Sequence, residues 1–136
     1  MIELQDMFKV QVADFDGPDH RVIRQVPHMY RCLSSLLMTP GLAPAHRHRL
    51  FAVLGYLILP EDLYPESELG PEGFVDDMML SLTVIRNVAD DMGVEAVLDA
   101  WEGDESEMLW MLDEGLSGLI ESRTELYQRV MSFMGF

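Results

Sequence analysis

The sequence predicts an all-α protein, a small bundle of about five to six helices around a central helix–loop–helix hairpin, from three observations. Apolar residues recur at steps of three and four along most of the chain, the signature of helices that bury one face. Proline and glycine sit at the ends of those stretches, where helices start and stop. The chain has 136 residues, 49% of them hydrophobic, enough to bury one core and within the range of a single domain over 1–136.

Residues 2–15 fit either period: Leu4, Met7, Phe8, Val12 and Phe15 make a helical stripe, while Phe8, Val10 and Val12 alternate as in a strand. Helix is the expectation, closed by a turn at Asp16-Gly17-Pro18-Asp19. From 20 to 38, Val22, Ile23, Val26, Met29, Tyr30, Leu33, Leu36 and Leu37 follow a helical period. Pro27 lacks an N–H and clashes with a preceding turn, so it either kinks this helix or begins a new one.

The next helix is expected from Pro44 to Leu59. Its start is polar (His46, Arg47, His48, Arg49), and Leu50–Leu59 is apolar all round. A helix with no polar face belongs inside a protein, so this stretch is expected to be the most buried part of the core. A loop rich in Pro, Gly and Glu spans 60–73, and a helix follows from about Phe74 to Met92, stopped by Gly93. A short helix is expected over Val94–Trp101. Asp104-Glu105-Ser106-Glu107 then reads as a capping box, opening a C-terminal extension over 104–135. There Leu109, Leu112, Leu116, Leu119, Arg123, Leu126, Val130 and Phe133 form a seam of alternating three- and four-residue steps. Gly115 and Gly118 weaken that helix by about 1 kcal/mol each relative to Ala, so the segment to Met134 is either one helix or two divided at those glycines.

Charge narrows the function classes. The net charge is −15, and it is segregated: residues 20–60 hold five arginines and no acid, whereas residues 61–136 hold 19 acids and three arginines. Ordinary nucleic-acid binding needs a net basic surface and is not expected. The first residues lack the basic and apolar regions of a signal peptide, and the longest apolar run, Leu50 to Pro60, is far short of the roughly 20 residues of a membrane span. The single cysteine, Cys32, forms no internal disulfide. A reducing cytoplasm is therefore the expected location.

Two proline-rich signatures frame the hairpin. Tyr56-Leu57-Ile58-Leu59-Pro60-Glu61-Asp62-Leu63-Tyr64-Pro65 is followed by Gly73-Phe74-Val75-Asp76-Asp77, with Thr39-Pro40-Gly41-Leu42-Ala43-Pro44 upstream. Over residues 28–86 this resembles the YkvA-like family, a bacterial and archaeal domain of unknown function. Its pattern runs through an apolar helix ending Y-L-[IL]-x-P-x-D-L-x-P to G-[YF]-[LV]-D-D opening another helix. The resemblance implies a helical fold and no particular reaction.

Within this motif Pro60 ends a helix, and Asp62 can accept backbone N–H bonds in the turn. Asp76 and Asp77 occupy a helix first turn, where negative charge is favoured by about 0.3–1 kcal/mol. Pro60, Asp62, Pro65, Gly73, Asp76 and Asp77 are thus read as a structural motif. The same residues carry the metal alternative, Mg²⁺ or Mn²⁺ on Asp62 with Asp76 or Asp77, because Mg²⁺ needs only one or two carboxylates. Histidine ligation is not expected: His46 and His48 are two apart, not the four of a helical zinc pair. No phosphate-binding glycine loop, G-x-S-x-G or C-x-x-C occurs in the sequence, and no organic cofactor is expected.

The expected function is a non-catalytic protein-interaction module or small subunit of an intracellular assembly, pairing with a protein partner or with itself. The interface expected from sequence is the end of the seam, at Leu126, Val130, Phe133 and Met134 with Arg123. The alternatives are a divalent-metal enzyme using the Asp62/Asp76/Asp77 loop, and a membrane-surface protein using the basic face of residues 20–49. The overall negative charge opposes the last.

Overall fold

The computed structural model describes residues 4–58 and 73–136, and no strand occurs among them. The helices are α1 (Leu4–Val12), α2 (His20–Ile23), α3 (Val26–Leu37), α4 (Pro44–Ile58), α5 (Val75–Met92), α6 (Val94–Ala100), α7 (Glu105–Trp110), α8 (Leu116–Ser122) and α9 (Thr124–Met134). The chain is all-α, as its periodicity predicts.

Pro27 sits in the first turn of α3, where its missing N–H is harmless. A helix therefore restarts there and does not kink. Gly93 ends α5 at φ 95°, a backbone region that glycine enters without the Cβ penalty. Residues 4–12 are helical, which resolves their double period.

The centre of the molecule is α5, not α4. Eleven residues of α5 are buried, against Leu50, Val53, Tyr56 and Leu57 on α4. The expectation that Leu50–Leu59 is the most buried stretch is thus corrected: Phe51 is 60% exposed and Ile58 45% exposed, and Leu59 lies outside the described residues. The reason is topological. Helix α5 packs against α2, α3, α4, α6, α8 and α9, whereas α4 lies mainly against α3 and α5.

α4 and α5 are antiparallel. Tyr56 near the end of α4 meets Asp76 at the start of α5, with 2.7 Å between its hydroxyl and Oδ2. His46 near the start of α4 meets Asp91 at the far end, at 2.9 Å. Helix α1 packs on α3 and is pinned by Gln5, whose buried amide donates to the Pro27 carbonyl at 3.3 Å and to Glu102. Cys32 lies wholly inside this core. Burial pushes its thiol up to about 12, so little thiolate exists at neutral pH. The native protein is expected to resist a disulfide-exchange reagent at pH 8 and to react at once in denaturant; rapid labelling of the folded protein would refute that burial.

The C-terminal seam is not one helix. Met111–Gly115 forms a π-helical turn after α7, and the chain breaks at Arg123, with φ −138° and ψ 50°. Gly115 and Gly118 both remain helical. Two local causes act at the break. The Ser122 and Thr124 hydroxyls bond back to the carbonyls of Gly118 (2.9 Å) and Ile120 (3.0 Å), an arrangement that bends helices. Arg123 also reaches across the molecule to Asp19, at 2.6 Å. Helix α9 then folds back onto α5 and α8. At the start of α7, Asp104 caps the Ser106 N–H at 2.9 Å, while Glu107 pairs with Arg21 at 3.0 Å, so only half of the expected capping box forms.

Candidate functional site

Two features of the α4–α5 hairpin are candidates: a buried carboxylate node at one end and an outward apolar face on α4.

At the node, Asp76 and Asp77 are fully buried within the first turn of α5. Asp76 Oδ2 accepts the Tyr56 hydroxyl, and its Oδ1 accepts the Asp77 backbone N–H at 3.0 Å. A buried carboxylate must be hydrogen-bonded to be tolerated, and here both oxygens accept. Helical position adds the favourable dipole. Tyr56 in turn stacks edge-on against Phe133 of α9, with ring centroids 6.0 Å apart, so the node joins three helices. Gly73 and Phe74 precede α5 and are buried with it. Pro60, Asp62 and Pro65 lie outside the described residues. The structure therefore brings Tyr56, Asp76 and Asp77 together. Among the described residues no group of three or more His, Cys, Asp or Glu is arranged to hold a metal ion.

On α4, consecutive residues turn by about 100°. Arg47, Phe51 and Ile58 therefore share one side, with Gly55 and His48 beside them. Leu50, Val53, Tyr56 and Leu57 point the other way, into the core. The outward side carries no acid, because residues 20–60 contain none. Arg47 also donates to the Leu37 carbonyl at 2.8 Å, securing the end of α3. Sequence reasoning missed Phe51 and Ile58. The signal was present: a helix apolar on every side exposes apolar surface unless neighbours surround it.

The expected C-terminal interface is largely spent inside the chain. Val130 is fully buried, and Leu126 and Met134 are half-buried against the core. Arg123 is held by Asp19. Phe133 alone of that set stands 62% exposed, beside an open depression of about 590 Å³ lined by Glu125, Gln128, Arg129 and Ser132. The break at Arg123 lets α9 turn back, which places Val130 in the core and leaves Phe133 at the surface.

His28, His46 and both tryptophans serve as internal contacts. His28 bonds Glu102 at 3.0 Å and meets Trp101 edge-on at 5.6 Å. Burial pushes the Glu102 carboxyl up, but bonds from His28 and Gln5 and the charges of His28 and Arg31 hold it below the usual carboxylate range. The Arg21 guanidinium lies 3.7 Å over the Trp110 ring.

The hairpin is also where the chain is similar to known proteins. The family described as "Protein of unknown function (DUF1232)" matches residues 48–81, the stretch from the middle of α4 through the node. The "Uncharacterized protein ORF9" of Methanothermobacter thermautotrophicus is 32% identical over 98 residues, covering 72% of this chain and 67% of that protein. The chain belongs to this family of unknown function. No solved structure matches it. The DUF1232 match contains Phe51, Gly55, Ile58 and both aspartates, while Arg47 and Phe133 lie outside it. No described helix is long and apolar enough to cross a membrane.

Proposed function

We propose that this DUF1232 protein, YkvA-like in its hairpin motif, is a non-catalytic interaction module or small subunit of a larger intracellular assembly, and that it docks through the outward side of α4. The carrying observation is the pair Phe51 and Ile58, 60% and 45% exposed on one acid-free helix face. Isolated exposed apolar residues are ordinary, but two large ones aligned on one helix are the form of an interface. The buried node gives this face a rigid mounting, because Asp76 ties the end of α4 to the central helix.

The test is a double variant, Phe51→Ser with Ile58→Ser. Both side chains are exposed, so stability is expected to change by less than about 1 kcal/mol for the pair. Proteins that co-purify with the native chain are expected to be lost. Retention of the same partners by the folded variant would sink the proposal.

The second reading, Mg²⁺ or Mn²⁺ on Asp62 with Asp76 or Asp77, draws on the burial of both aspartates. It competes with the hydrogen bonds that Asp76 accepts. A melting temperature raised by Mg²⁺ or Mn²⁺ in the native protein but not in Asp76→Asn would favour the metal over the structural role.

A further inference from the structure

We propose that the partner of the α4 face is an acidic amphipathic helix of another protein, laid along α4 with its apolar anchors astride Gly55 and its carboxylates over Arg47 and His48. This rests on the docking role of α4 proposed above and names the chemistry of what docks.

Spacing points to a helix. Phe51 and Ile58 are seven residues apart, about 10.5 Å along the axis at 1.5 Å per residue, the repeat of two anchors on one side of a facing helix. Gly55 lies between them. A Cβ built there meets nothing within 4 Å among the described residues, so the chain's own described packing does not require a glycine. Its backbone is helical, where glycine is disfavoured relative to alanine. A glycine between two large exposed side chains leaves a notch that admits another backbone closely.

Charge selects the partner. The face ends at Arg47 and His48, both exposed, and no acid lies in residues 20–60 to neutralise the Arg47 charge. Acidic groups are the complementary chemistry, and such pairs guide association and register. A second copy fits less well. Each copy carries −15 and repels its like, and on the acid-rich helix α7 Leu109 is the one large hydrophobic that is strongly exposed, where two anchors are needed. An anionic lipid surface fits less well again. It confronts every charge within a Debye length of about 8 Å, including the acidic remainder of the molecule, while a helix meets only the residues beneath it.

The experiment uses the full chain and two labelled 18-residue helical peptides on an alanine frame. Both carry Leu at i, i+4, i+7 and i+11; one has Glu beside the first Leu, the other Lys. Fluorescence anisotropy is expected to show binding of the Glu peptide that weakens with salt, and none of the Lys peptide. Gly55→Leu, which fills the notch, and Arg47→Glu are each expected to weaken the Glu peptide at least tenfold. Melting curves check that both variants fold. Gly55→Ala, expected to melt no lower than the native chain, stands in if Gly55→Leu does not.

Equal binding of both peptides that is lost in Phe51→Ser would overturn the acidic helix and leave the docking face standing. No binding of either peptide, or full binding by the folded notch-filled variant, would likewise overturn it. Preferential binding to phosphatidylglycerol vesicles would assign the face to lipid, and a concentration-dependent doubling of mass abolished by Phe51→Ser would assign it to a second copy. Partners retained by the Phe51→Ser, Ile58→Ser pair would remove the docking role itself.

Discussion

Replacing Phe74 by alanine is expected to destabilise the protein by about 3–5 kcal/mol, the range for truncating a buried aromatic. Phe74 is almost wholly buried at the start of α5 and meets Phe8 edge-on, with centroids 5.7 Å apart. Its loss removes apolar burial, opens a cavity and breaks an aromatic pair that adds roughly 0.5–1.5 kcal/mol. Phe51→Ala is the matched control: the same chemical change on α4 is expected to stay within about 0.5 kcal/mol. Urea titration measures both, with a shift in midpoint at constant slope marking a pure stability change. Equal losses at the two positions would return α4 to the centre of the core.

Tyr56→Phe is expected to cost about 1.5–3 kcal/mol, the range for a hydrogen bond to a charged group. The ring stays, so contact with Phe133 is retained, while the hydroxyl and its bond to Asp76 are removed. The buried carboxylate then loses a donor in a place where desolvation makes that loss expensive. Asp76→Asn leaves one acceptor oxygen for two donors, the Tyr56 hydroxyl and the Asp77 N–H, and is expected to cost at least as much as Tyr56→Phe. A Tyr56→Phe protein as stable as the native one in the same titration would show that this bond does not secure the α4–α5 hairpin.

Local rules made much of the fold legible. Pro27, Pro44 and Gly93 each mark a helix end by an effect confined to one turn of backbone, and the apolar period located the helices between them. What stayed hidden depends on distant residues. Leu50–Leu59 is more apolar than Phe74–Ile85, which contains two aspartates, a serine and a threonine, yet burial is decided by how many helices surround each, which periodicity does not encode. Asp76 and Asp77 read as ordinary first-turn acids, yet both are buried, and Asp76 is satisfied there by a donor from another helix, the Tyr56 hydroxyl. The break at Arg123 draws on Asp19, near the other end of the chain, and glycine content gives no sign of it. Of the candidate site, the aspartates were visible as a motif. Phe51 and Ile58 were visible only as core.

The π-helical turn at Met111–Gly115 acts as a phase adjuster. An i→i+5 turn takes up one more residue than an α turn, and one residue rotates a helix by about 100°. Before it, Met108 faces inward and Leu109 faces water; Met111 and Gly115 within it are buried; after it, Leu116 and Leu119 face inward. The heptad spacing of the leucines is thereby read in two different frames on either side of one turn. Removing a single residue inside the turn, such as Asp113, would convert it to ordinary α geometry and let the surplus absorb the deletion. The same deletion within α8 would swing Leu119 out of the core and carry the error into α9, where Val130 sits. Tolerance to a lost residue in this arm is therefore concentrated in the turn.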